Sequence, residues 1–384
     1  MWKQAIEEAL RVTKANIGRF GDQFPDVSLN SSSKYVLMRN SKGWTQGFWT
    51  GMLWLSYEYS QDPVFRDAAA RTIGSYRERL EKEEHTDTHD LGFLFSLSSK
   101  AQWMIEQDED AKQLTIGAAR MLLKRWREQM NVLQAWGPKD DPVNGGRIII
   151  DCLMNLPLLH WAYKHTGDPD FHEAAARHTE KSRRFLVRGD DSTYHTFWFD
   201  PLTGDSVRGG THQGDQDGST WTRGQAWGIY GFALAYHYLR KQEYLETAKR
   251  LAVYFADRVP EDGAVYWDFE VPQGRDTKRD SSASAIAAAG MLEICSFLPK
   301  DDPAHDKLAQ AVNLIMHGLV RHNSTIGEEH AEGLIKHGSY VVKQGVATDD
   351  YTIWGDYFYL EALMRLERGL TGYWYERSLS PVVE

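Results

Sequence analysis

Residues 144–157 read NGGRIIIDCLMNLP and place one carboxylate, Asp151, behind three isoleucines and ahead of Leu153, Met154 and Leu156. An ionised carboxylate in apolar surroundings is costly unless it is paired or takes up a proton. Asp151 would therefore pair with Arg147, cap a helix that begins there, or hold a proton that it can donate. A second acidic stretch, HTDTHD, ends in Asp90 just before the apolar run LGF, where it would decorate a helix start or supply a second functional carboxylate. Two such groups in one site would be equipped for acid and base chemistry on a glycosidic bond. His85 and His89 lie four residues apart, but they lack the glutamate of a zincin helix and fall in a polar loop, so no metal site is expected.

Other chemistries find less support. Gly-rich pieces such as GGTHQGDQDG have neither P-loop nor dinucleotide spacing, and no GxSxG elbow accompanies the serines. No cofactor is expected. A net charge of −10 argues against general affinity for nucleic acid or anionic membranes, although it leaves room for a small acidic ligand held by a local cluster of donors. Cys152 and Cys295 are too few for a disulfide framework. No apolar run is long enough to span a membrane, and the opening MWKQAIEEALRV reads as an amphipathic helix, so a cytoplasmic protein is expected. The 14 Trp and 18 Tyr exceed ordinary core needs, and many fall in Gly- or Asp-rich segments, as faces that stack on sugar rings would.

The elements that position these residues are helices. Periodicity predicts twelve, near 2–20, 44–60, 63–83, 89–106, 108–130, 148–166, 168–187, 221–240, 241–258, 281–297, 303–321 and 351–368. Odd-numbered segments are amphipathic, as in Leu308, Val312, Ile315 and Leu319 on one face. Even-numbered ones, such as AWGIYGFALAYHYL, are apolar nearly all round and should be buried on every side. Six repeats of outer and inner helix predict an all-α fold, a closed α/α barrel of six helical hairpins in one domain spanning residues 1–384. An open solenoid is the rival.

Links from inner to outer helices are short. Those from outer to inner helices, at 21–43, 131–147, 188–220, 259–280 and 322–350, are long and would gather on one face. Two of them should form hairpins: TYHTFWFDPLTGDSVRG has a turn at Pro-Leu-Thr-Gly, and AVYWDFEVP alternates like a strand. The same face would hold the inner-helix starts, and with them Trp44, Asp90, Asp151, Trp221, Arg223, Trp227, Arg279 and Asp356, a composition suited to a sugar acid.

Longer motifs add a resemblance. The runs WTQGFWTGMLW, HDLGFLFSLSSKAQW, QAWGPK, GGRIIIDCLMNLPLL, RGGTHQGDQDGSTWTRGQAWGIYGFAL, RDSSASA, DDYTIWGDYFYLEAL and GYWYER are similar to those of the unsaturated glucuronyl hydrolases, six-hairpin α/α-barrel enzymes that act on products of polysaccharide lyases. The resemblance implies a small acidic oligosaccharide substrate and hydration of its C4=C5 double bond. It assigns Asp151 as the general acid and base and Asp90 as the second carboxylate. It makes His195, Gln213, Arg223, Trp227 and Tyr340 substrate contacts, with Trp44 and Trp136 stacking on sugar rings. After Tyr340 the chain runs VVKQG, without the serine-and-lysine pattern that accompanies sulfated disaccharides, which implies an unsulfated substrate. Related unsaturated rhamnogalacturonyl hydrolysis, a conventional inverting glycosidase and a non-catalytic sugar-binding protein are the alternatives.

Overall fold

In chain order the helices are α1 (Trp2–Phe20), α2 (Gln46–Ser60), α3 (Pro63–Glu81), α4 (Leu91–Ser96), α5 (Ser99–Glu106), α6 (Glu109–Leu123), α7 (Cys152–Thr166), α8 (Pro169–Phe185), α9 (Thr222–Leu239), α10 (Gln242–Ala256), α11 (Ser281–Phe297), α12 (Pro303–Gly318) and α13 (Ile353–Arg368). They come from a computed structural model that describes residues 1–377; the tail from Ser378 lies outside the described residues. The apolar segments α2, α4, α7, α9, α11 and α13 each pack on the next, and α13 returns to α2. The ring is thus closed rather than open as in a solenoid. Around it lie α1, α3, α6, α8, α10 and α12, each with one face on the inner ring and one in water.

The tight inner-to-outer turns have a shared local cause. Gln61, Gln107, Gly167 and Arg240 end their inner helices in the left-handed conformation. Asp62, Asp168 and Asp302 then precede a proline and accept a backbone N–H from two residues on, a cap and a first-turn proline together. The long links run over the opposite end of the barrel and build its mouth.

Several boundaries differ from the sequence expectation. The helix expected at 89–106 starts at Leu91 and breaks after Ser96, where Ser98 Oγ donates to the Leu94 carbonyl and the Ser98 backbone turns out of helical geometry. The helix expected at 108–130 stops at Leu123, and the chain folds back as a ribbon that pairs Trp126–Arg127 with Val132–Leu133. Arg147–Ile149 is a strand rather than a helix start. It pairs antiparallel with Thr196–Phe199, which pairs in turn with Ser206–Gly210. The hairpin expected around Pro201 is therefore present, joined by a third strand. AVYWDFEVP forms only isolated bridges, Tyr266 to Arg279 and Asp268 to Trp221. An unexpected pair, Phe24–Ser28 with Tyr35–Met38, lies in the first long link. Pro157 sits inside α7, which continues to Thr166.

Candidate active site

Strand pairing explains where Asp151 ends up. Ile148, Ile149 and Ile150 are fully buried, and the Ile150 N–H donates to the His195 carbonyl at 3.1 Å. The chain then enters α7 with Asp151 in the capping position, yet its side chain caps no N–H. Arg147 does not take the carboxylate either. Its guanidinium lies 4.4 Å from the Trp136 ring and 4.9 Å from Trp198, and its Nε donates to Thr196 Oγ1. Both ordinary uses of Asp151 are thus unfilled, and the side chain opens into a cavity at the barrel mouth.

That cavity measures about 480 Å³ and is lined by Trp44, Asp90, Trp136, Asp151, Gln213, Arg223, Trp227 and Tyr340, together with Gly43, His85, Asp87, Thr88, Gly137, Pro138, His212 and Trp221. Eight of the nine residues singled out by the resemblance are therefore gathered there. His195 lies behind the wall, its ring 4.2 Å from that of Trp221. Its Nδ1 accepts the backbone N–H groups of His212 and Gln213 at 3.0 and 3.1 Å, which leaves Nε2 as the proton-bearing nitrogen. Burial, with the charges of Arg147, His212 and Arg223, holds His195 well below the ordinary histidine range and so neutral. Arg279 and Asp356, expected at the mouth, turn elsewhere. Arg279 pairs with Asp262 at 2.8 Å, and Asp356 is a buried acceptor for Tyr35 Oη and for the Leu334 and Ile335 N–H groups.

Asp90 and Asp151 face each other across His89, which is fully buried. His89 Nε2 lies 3.4 Å from Asp90 Oδ1 and 3.2 Å from Asp151 Oδ1. One oxygen of each carboxylate and a nitrogen of the ring all lie within 4.8 Å of one another, close enough that a cation could in principle share them. Burial pushes Asp90 above the usual carboxylate range; the His89 ring opposes the rise, and the Asp151 charge adds to it. The nearest oxygens of the pair are thus closer than the roughly 6.5–9.5 Å that separates the carboxyl groups of an inverting glycosidase. In the sequence His89 stands out only with His85, as a metal pair in a polar loop, and nothing there points to a place between two carboxylates. Its burial depends on a distant segment, whose Ala135 carbonyl accepts the His89 N–H at 2.8 Å.

Three buried arginines fasten the loops of the mouth through backbone carbonyls. Arg79 binds those of Gly43 and His85, at either side of the Trp44 wall. Arg125 binds that of Gly137, next to Trp136. Arg223 binds those of Ser339 and Tyr340, while also reaching Gln213 Oε1 and Asp280. Each replaces several weak loop contacts by a rigid fork of donors. Burial pulls Arg79 and Arg125 down to about 10, still charged at neutral pH, so buried cations stand behind the loops of an acidic chain's mouth. Trp44 is held by a hydrogen bond from Nε1 to Tyr340 Oη at 3.1 Å and by the rings of Phe48, Phe93 and Trp354. The pocket thus combines aromatic walls, one arginine and a close carboxylate pair, a set that can hold a sugar and move a proton to or from it.

Comparison with known proteins agrees in kind. The profile of Glycosyl Hydrolase Family 88 matches residues 15–368. The unsaturated glucuronyl hydrolase of Bacillus sp. (strain GL1) is 59% identical over 98% of this chain and 100% of its own, and its crystal structure superposes with a TM-score of 0.96. A variant of an unsaturated glucuronyl hydrolase solved with dGlcA-Glc-Rha-Glc matches with the same identity, coverage and TM-score. The unsaturated chondroitin disaccharide hydrolase of Streptococcus pneumoniae (strain ATCC BAA-255 / R6) is 39% identical over 97% of this chain and 93% of its own.

Proposed function

This chain belongs to Glycosyl Hydrolase Family 88, and from that premise we propose how its pocket works and on what. It is an unsaturated glucuronyl hydrolase, a glycoside hydrolase that removes the unsaturated glucuronic acid from the non-reducing end of oligosaccharides left by polysaccharide lyases. In such a sugar the C4=C5 bond is an enol ether, because C5 carries the ring oxygen. Asp151 delivers a proton to C4, and the positive charge that develops at C5 is shared with that oxygen. Asp151, now a carboxylate, takes a proton from the incoming water, which adds at C5. The hemiketal opens and the aglycone departs. Asp90, the second carboxylate, binds the sugar beside Asp151.

The observation that carries this reading is the closeness of the two carboxylates on the floor of an aromatic pocket. A proton shared between such groups serves an addition to a double bond, whereas a conventional inverting pair would need an intervening water. Trp44 and Trp136 stack on the sugar rings. Gln213, Arg223, Trp227 and Tyr340 contact the substrate, and His195 acts from behind the wall through Nε2. The whole chain, 1–384, works as one catalytic domain. Lys343 donates to the Asp215 carbonyl of the opposite loop, which supports an unsulfated substrate, and the dGlcA-Glc-Rha-Glc bound to a relative is likewise unsulfated. Unpaired Cys152 and Cys295 fit action in a reducing cytoplasm. Among the described residues no helix is long and apolar enough to cross a membrane.

The test supplies lyase-generated unsaturated disaccharides and follows the ultraviolet absorbance of the double bond. Absorbance should fall as free sugar appears. Persistent absorbance during cleavage of saturated glycosides would put the chemistry at the glycosidic oxygen, and binding without turnover would make the protein a sensor.

A further inference from the structure

We propose that His89 is a positioning residue for this reaction, a buried ring set between the inner oxygens of Asp90 and Asp151 that fixes which oxygen of Asp151 meets the substrate. The inference rests on the function proposed above. Its basis is geometric. Asp151 Oδ1 and His89 Nε2 are both buried and neither has a hydrogen-bond partner, yet they stand 3.2 Å apart, at ion-pair distance. Since Asp151 also lines the pocket, its remaining oxygen, Oδ2, is the one directed at the cavity. Asp90 is divided in the same way: Oδ2 accepts the Thr88 hydroxyl at 2.7 Å, while Oδ1 faces His89 Nε2 at 3.4 Å. One ring nitrogen therefore stands within ion-pair distance of an oxygen of each carboxylate, and a small turn of the ring would aim its N–H at either.

The groups that face the ring come from several elements. Asp90 adjoins it in sequence, and Asp151 and Cys152 belong to the start of α7. Arg79 of α3 lies beyond Asp90, and His178 of α8 lies on the far side. Burial works against charge on the His89 ring, but Asp90, Cys152 and Asp151 outweigh it and hold the ring well above the ordinary histidine range. When Asp151 gives its proton to C4, a new negative charge appears beside Asp90. An N–H aimed at Oδ1 stabilises that charge, as a donor already in place does. The ring gives up no proton itself, so the proton balance of the reaction is unchanged.

The test compares wild type with His89→Gln, which keeps a donor without the charge, and with His89→Ala. Wild type is first shown to consume the double bond; if it does not, the functional reading has failed and not this one. The expected result is a fall in kcat of about 10²–10³-fold for His89→Ala with KM changed less than about threefold, and partial recovery in His89→Gln. The acidic limb of the kcat profile should move upward in both, because the carboxylates lose their cation. Unchanged kcat and pH profile would overturn the proposal. So would loss of activity on chelation with restoration by a divalent ion, which would make His89 a ligand. Should the variants not fold, the ring is followed by NMR in wild type and Asp151→Asn. His89 should titrate above the ordinary histidine range in the first and lower in the second; equal titration in both would overturn the assignment.

Discussion

Gly92 and Asn155 bring α4 and α7, the two helices that follow Asp90 and Asp151, into backbone contact: a Cβ on Gly92 would lie 2.3 Å from the Asn155 Cα. Asn155 uses that proximity. Its Oδ1 accepts the Phe93 N–H at 2.7 Å and its Nδ2 donates to the Asp151 carbonyl at 3.2 Å, so one amide ties both helix starts. The spacing of the two helix starts is thereby fixed by the Gly92 contact and the Asn155 amide.

Gly92→Ala must push the helices apart and should lower kcat at least 100-fold, at a stability cost of about 1–3 kcal/mol. Asn155→Ala removes the tie without the clash. It should cost about 1–3 kcal/mol for the Phe93 N–H left unsatisfied and lower kcat less than Gly92→Ala does. Urea denaturation and turnover of unsaturated disaccharide check both. Full activity in Gly92→Ala would mean that the carboxylate spacing tolerates movement.

The ring of alternating helices was legible because burial on all sides leaves no polar face, and six such segments can be counted. Asp151 and Asp90 were legible as charges in apolar runs. What could not be read depended on partners far along the chain. Ile148 and Ile149 continue the apolar pattern of α7, but their strand partner, residues 196–197, lies across a whole hairpin of helices. Arg279 and Asp356 sit at inner-helix starts as expected, but side-chain direction decides their role, and both point to structural partners. His89 was hidden for the same reason, since nothing local announces that the loop at Ala135 covers it.

Asp151→Asn and Asp90→Asn should separate the two carboxylates. The first should abolish turnover while leaving disaccharide binding nearly intact, because an amide of the same shape can neither give nor take the proton. The second should reduce turnover sharply and weaken binding, since the site then loses its second carboxylate. Steady-state kinetics and calorimetric binding distinguish them; normal kinetics in Asp90→Asn would reduce Asp90 to a helix-start residue.

Arg223→Lys tests whether the mouth depends on a rigid fork. The guanidinium reaches Asp280, Gln213 and the carbonyls of Ser339 and Tyr340 at once, and lies 4.5 Å from the Trp221 ring. An ammonium cannot make that planar set, so kcat/KM should fall about 10–100-fold as Gln213 and Tyr340 loosen. Asp280→Asn leaves the buried cation without its counter-charge and should cost about 3–5 kcal/mol in thermal or urea unfolding. A silent Arg223→Lys would show that Tyr340 is held by other contacts.

At the end of the barrel opposite the mouth, Lys100 of α5 is wholly buried and donates to the Trp374 carbonyl at 2.8 Å, where Tyr238 Oη also donates. Burial lowers its ammonium to about 7, with Glu376 opposing the fall and Lys164 adding to it. The unfolded chain keeps an ordinary lysine, near 10.5. Below pH 7 both states carry the proton and the cost of the buried charge is constant. Between 7 and 10.5 the unfolded state binds more protons at this site, so stability rises with pH, by at most about 1.4 kcal/mol per unit. Urea midpoints should therefore climb from pH 7 to 9 in the wild type, and Lys100→Met should flatten that climb while leaving turnover at the distant mouth intact. An identical slope in both proteins would mean that Lys100 stays charged in the fold and that Trp374 is held by an ammonium throughout.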